Sequence, residues 1–169
     1  MLERVCHADG TFQELERQWT EQCEAYDEDL AAYAAPHLEL AKKISEENPQ
    51  DSKYGIFALK SGGEYSCLMH VNVARLPKTE GKTLRILWIL LAPKYDFEDI
   101  ERELLARLSA EIVLGALGLA AGALGSDQIK VHLGNIGDRQ YFTGFCAALV
   151  GADVVAEAAI RGNWLHVKQ

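Results

Sequence analysis

The chain lacks a Cys-x-x-Cys pair: its four cysteines, Cys6, Cys23, Cys67 and Cys146, are scattered. That spacing excludes the usual zinc and dithiol motifs and predicts reduced thiols. The five histidines, His7, His37, His70, His132 and His166, are equally dispersed, so no metal-ligand spacing is present. A membrane-length uncharged run is missing as well. The stretch from Ile112 to Gly125 covers about 14 residues, short of the ~20 that a bilayer span requires, and it reads as a buried helix. The first ten residues carry charges and no apolar core, so no secretory leader and a cytoplasmic setting are expected. Neither a repeat nor a Pro/Gly-rich linker interrupts the chain, and one domain over residues 1–169 is expected.

Basic residues are in deficit: 17 Lys and Arg face 25 Asp and Glu, a net charge of −8. The deficit lies in residues 1–50, with twelve acids against four Lys or Arg; the remainder holds thirteen of each. An acidic surface repels phosphate backbones, so neither a nucleic acid nor a membrane partner is expected. The acidic N-terminal segment reads either as a solvated helix face or as a docking surface for a protein partner or a second copy.

What is present alternates in period. Leu2 to Cys6 reads as a short strand before a turn at Asp9-Gly10. Thr11 and Glu14 form a capping-box pattern. Phe12, Leu15, Trp19, Cys23, Tyr26, Leu30 and Tyr33, at steps of three or four, draw one apolar stripe along a helix. Pro36 is expected to restart a second helix with Leu40, Ala41 and Ile44 inward. Tyr54 to Leu59, a Ser61-Gly62-Gly63 turn and Tyr65 to Ala74 form a hairpin. Thr83 to Leu91 is apolar on both faces, with Leu84, Ile86, Trp88 and Leu90 against Leu87, Ile89 and Leu91. It is therefore a central strand covered on each side. A long helix from about Phe97 to Gly122 or Gly125 follows, then a strand Gln128–Leu133 and a helix from Asp138 to about Val150. Strands Val154–Ile160 and Trp164–Val167 complete the order.

The fold class is α/β, a mixed central sheet flanked by helices. The order resembles the GNAT (GCN5-related N-acetyltransferase) fold over almost the whole chain. The run from Ala92 to Leu105 is similar to that family's strand end, Pro, Tyr, loop and helix with a Leu-Leu pair. Asn135, Asp138 and Tyr141-Phe142 form a second partial match. The resemblance implies a loop of pattern R/Q-x-x-G-x-G/A whose backbone amides hold the diphosphate of acetyl-CoA. Here the Arg position is Asp96 and the two Gly positions are Asp99 and Glu101, with Glu98 a further acid. These acids stabilise a helix start and repel a diphosphate.

GNAT enzymes often use a carboxylate near the central strand as general base, and Thr83 to Leu91 contains none. His70 is the substitute base, since an imidazole titrates near neutrality. By the resemblance Tyr141 would protonate a departing thiolate, although the seven-residue step from Asn135 reaches Phe142. Both residues also have structural readings: His70 as a hydrogen-bonded strand residue, Tyr141 as a core or rim aromatic. Cys67 and Cys146, without activating partners, read as buried thiols. Arg85, Lys94 and Arg102 could form a small basic patch.

Three functions follow. The first is a GNAT-like protein that has lost ordinary acetyl-CoA binding, expects no cofactor, and acts by binding a protein or small ligand. The second is an N-acyltransferase with an atypical donor mode, taking acetyl-CoA or another acyl donor, with His70 as base and Tyr141 as acid. The third is a structural or assembly subunit. Fold alone does not choose among them.

Overall fold

The computed structural model describes residues 2–47, 51–77, 79–98, 100–134 and 139–168, and only the backbone of residues 139–141. The elements run β1 (Leu2–Arg4), α1 (Thr11–Glu24), α2 (Leu30–Glu47), β2 (Tyr54–Ser61), β3 (Glu64–Ala74), β4 (Thr83–Leu91), α3 (Lys94–Phe97), α4 (Arg102–Ala121), β5 (Gln128–His132), α5 (Arg139–Gly151), β6 (Glu157–Arg161) and β7 (Trp164–Lys168). The strands form one seven-stranded sheet in the order β1-β2-β3-β4-β5-β7-β6. Among the described residues, β4 and β5 pair in parallel and the other pairings are antiparallel.

Two cores sandwich the sheet. On one face α4 and α5 bring Leu108, Ile112, Ala116 and Leu149 onto Met69, Leu84, Ile86 and Val131. On the other, α1 and α2 bring Phe12, Leu15, Trp19 and Leu38 onto Ile56, Ala58 and Leu68. The indole N–H of buried Trp19 donates to the Tyr65 carbonyl at 3.0 Å, so a large apolar group is buried without orphaning its donor. By length and composition α4 could cross a membrane, but its buried face packs on the sheet. Gly115 makes that packing possible. A Cβ there would lie 2.4 Å from Leu2 Cγ, so the missing side chain lets β1 approach α4.

Several expectations need correction. The first helix ends at Glu24, not Tyr33. Asp27 takes a left-handed backbone (φ 57), and the Asp29 side chain accepts the Ala31 N–H at 2.6 Å to start α2. Pro36 therefore lies inside α2 instead of starting it. Thr11 is the first helical residue, not the cap: its N–H donates to Asp9 Oδ1 at 3.0 Å, while Glu14 binds Arg17. Ala41 points inward as expected, but Leu40 is 40% exposed. The long helix begins at Arg102, after the separate turn α3.

The two faces of β4 also differ from simple alternation. His70 pairs with Trp88 and Val71 with Ile86, which leaves Leu87 as an extra residue. This bulge reverses the strand's phase. Leu84 and Ile86 join the α4 core, whereas Trp88 and Leu90 pack with α1 and α2.

Candidate functional site

β4 and β5 pair only from Thr83↔Gln128 to Ile86↔Val131. Among the described residues, the β5-facing edge of β4 has no strand partner from Leu87 onward. Parting the two strands at the bulge opens a cleft of about 350 Å³. Its α4–α5 side is apolar, with Leu105, Ile112, Val113 and Phe142. Toward α2 it is lined by His37, Trp88 and His132. The cleft therefore passes through the sheet, with an apolar wall on one side and imidazoles on the other.

Aromatic contacts fix these imidazoles. The His37 and Trp88 ring centroids lie 4.9 Å apart at 73°, edge to face. His132 stands 4.9 Å from Trp164 at 62°. No Asp or Glu lines the cleft among the described residues.

The residues singled out by sequence are not all brought together here. His70 stands on β3 on the opposite side of Trp88's strand pairing, 6.0 Å from that ring, and it is not a lining residue of the cleft. Burial holds its imidazole below the usual acidity range, so it is neutral near pH 7. Tyr141 lies on the first turn of α5, next to the lining residue Phe142, and its side chain lies outside the described residues. Asn135, Asp138 and Asp99 also lie outside them. Cys67 is buried among core residues and burial pushes its thiol up to about 12; Cys146 is also buried and raised, so neither is an activated nucleophile.

The segment after β4 is held by the α1–α2 side. Phe97 packs 5.2 Å from Tyr26 and 5.6 Å from Tyr33. The Tyr26 hydroxyl donates to Glu98, and the Tyr33 hydroxyl donates to the Leu91 carbonyl at 3.0 Å. Burial, then the neighbouring Asp96 carboxylate, pushes the Tyr33 phenol well above its usual value. Glu101 is the N-cap of α4, in extended conformation and without a side-chain capping bond, and Glu103 lies in the first turn. The expected basic patch does not assemble. Lys94 is paired with Glu64, and Arg85, near the start of β4, donates from Nε to Asn72 at 2.8 Å.

Sequence reasoning missed His37, His132 and Trp88 as a group. A signal for His37 was present: it follows Tyr33 by four residues on the face of α2 that meets the sheet. Nothing local marked His132.

No family model and no curated protein matches the chain. Among solved structures it is similar to glucosamine-6-phosphate N-acetyltransferase from Arabidopsis thaliana, with 8% identity, 85% of this chain and 88% of that chain covered, and a TM-score of 0.50. It is also similar to the GNAT domain of S. lividans PAT, at 10% identity, 99% and 88% coverage and a TM-score of 0.47. An E. coli protein solved with coenzyme A bound matches at 12% identity, 100% and 98% coverage and a TM-score of 0.47. The strand order, the parted parallel pair and the first of these likenesses define one class: the chain has the GNAT acetyltransferase fold. At these identities the likeness fixes architecture, and the chemistry has to be argued from the cleft.

Proposed function

We propose that the protein is an N-acyltransferase of GNAT architecture whose donor is held by its acyl-bearing arm and not by a diphosphate. The carrying observation is the cleft that opens where β4 and β5 part. Its apolar wall suits an acyl chain, and the unpaired edge of β4 from Leu87 offers backbone groups to an amide-bearing arm. On the α2 side, an acceptor amine would meet His37 and His132. In the reaction the amine nitrogen attacks the thioester carbonyl, its proton passes to an imidazole, and the C–S bond breaks to release a thiolate. His37 is the better placed base. His70, the cross-strand neighbour of Trp88, does not line the cleft, and its lowered pKa makes it a poorer acceptor. Tyr141, beside Phe142, retains the part of the acid that protonates the thiolate.

Supporting the donor half of the reading are the acids at the start of α4. By the resemblance, Asp96 takes the Arg position and Asp99 and Glu101 the two Gly positions of the diphosphate loop, with Glu98 a further acid. Glu103 in the first turn of α4 adds negative charge where a diphosphate would approach, although no side chain caps the helix. Coenzyme A would supply an activated thioester, but these residues do not fit its diphosphate.

A second reading, a ligand-binding domain without catalysis, is favoured by the absence of a carboxylate among the described lining residues. One experiment separates the two. The protein is assayed with acetyl-CoA and with acetyl-pantetheine, which carries the same thioester arm without nucleotide or diphosphate. We expect transfer to a primary amine from both donors at similar kcat/KM. A preference for acetyl-CoA of a hundredfold or more would restore ordinary diphosphate recognition. Binding without transfer from either donor would favour the second reading.

A further inference from the structure

α1 and α2 cover the sheet only over its β2–β4 half: no residue of β5, β6 or β7 belongs to their core among the described residues. The uncovered half-face is identified by alternation. Ile129, Val131, Leu165 and Val167 point into the α4 core, so Lys130, His132, Trp164 and His166 stand on the other side. One row across this face reads Arg85 on β4, Lys130 on β5 and His166 on β7, each the Cα partner of the next. The adjoining row reads His132, Trp164 and Arg161.

Like charges placed directly opposite in a sheet destabilise it. This chain, with a net charge of −8, nevertheless sets a guanidinium beside an ammonium beside an imidazole. Two acids, Glu80 and Glu157, lie near the His166 end of the row, and Glu157 is bonded to Arg161 at 2.7 Å. Arg85 spends its Nε on Asn72, and neither Arg85 nor Lys130 has a carboxylate partner among the described residues. Both side chains are half-buried. Arg85 and Lys130 thus leave positive charge without a carboxylate partner on this row. The row lies two residues along β5 from His132, which lines the cleft, or roughly 7 Å at strand spacing.

We propose that this row binds the anionic group of the acceptor, and that the acceptor is a small amine carrying a phosphate about 7 Å from its nitrogen. The inference rests on the acyltransferase reading for the word acceptor. A phosphate is favoured because a guanidinium and an ammonium stand in register on adjacent strands, and together they offer several charged N–H donors to its peripheral oxygens. The Arg85 guanidinium and the Lys130 ammonium grip the phosphate, and the amine reaches along β5 to the imidazoles of the cleft.

The test uses the full chain with aminobutyl phosphate, butylamine, aminovalerate and a single-stranded oligonucleotide as probes, titrated by calorimetry and by NMR of the Lys130 and His166 signals. We expect aminobutyl phosphate to bind at least tenfold more tightly than butylamine and to shift both signals. Lys130→Gln should weaken its binding roughly tenfold without changing that of butylamine, and Lys130→Arg should restore it. Equal affinity for the two amines, or unchanged affinity in Lys130→Gln, overturns the site. Aminovalerate binding as tightly as the phosphate overturns the choice of phosphate. An oligonucleotide that displaces aminobutyl phosphate at lower concentration overturns the small acceptor. The phosphate preference with no acyl transfer from any thioester would remove the proposed activity and leave the anion site. Transfer to both amines at equal kcat/KM would do the reverse.

Discussion

His37, on the helix that covers β4, meets Trp88 edge to face with ring centroids 4.9 Å apart, where β4 separates from β5. The contact places an imidazole at the mouth of the cleft from a helix, not from the strand that would ordinarily carry a base. Replacing His37 by Gln should leave the fold within about 0.5 kcal/mol of the parent and lower single-turnover acyl transfer roughly a hundredfold. His70→Gln should lower it far less. A thermal melt beside the rate measurement checks both, and full activity in His37→Gln would remove that residue from the chemistry.

Gly115→Ala sets helix propensity against space. Alanine gains about 1 kcal/mol in a helix interior, but its Cβ would meet Leu2 Cγ at 2.4 Å. Overpacking of this kind costs about 1–3 kcal/mol, so net destabilisation is expected in urea titration. Adding Leu2→Ala should recover the Gly115→Ala part of the loss, giving a non-additive double-mutant cycle.

His70 and His166 both have depressed pKa values, His70 through burial and His166 through burial first, then Lys130 and Arg161. A depressed imidazole binds fewer protons folded than unfolded. Its contribution is complete above about pH 6.5 and is lost as pH falls through the folded values. The melting temperature should therefore fall between pH 7 and pH 5, and the double variant His70→Gln, His166→Gln should show a shallower fall.

All four cysteines are buried, and burial raises each thiol. Native protein at pH 7.5 should take up no iodoacetamide by intact mass, while denatured protein should take up four. Rapid native labelling of Cys146 would show that α5 opens.

Much of the architecture was legible because periodicity reports burial directly. The stripe Phe12, Leu15, Trp19 and Cys23 is buried as its spacing implies, and the hairpin of β2 and β3 follows from its turn and alternation. The break between α1 and α2 was misplaced because Tyr26, Leu30 and Tyr33 continue the helical step across it. What ends α1 is one left-handed aspartate, Asp27, a conformation that composition barely marks. The cleft was less legible. Its imidazoles come from α2 and β5, far apart in the chain, and Trp88 faces α2 only because of the extra residue Leu87. A bulge shifts phase without leaving a residue type that announces it. The cationic row was hidden for a similar reason: Arg85, Lys130 and His166 become neighbours only through strand order.

The close approach of Leu2 to Gly115 sets a schedule for the growing chain. β1 can pair with Phe57 and Leu59 as soon as β2 exists, but its inner side stays bare until α4 has been made, roughly 10 s later at ordinary rates of translation. β1 thus waits for α4, a helix far downstream in the chain. A nascent chain stalled before Gly115 should hold its first strand open to proteases, and release of the stall should close it.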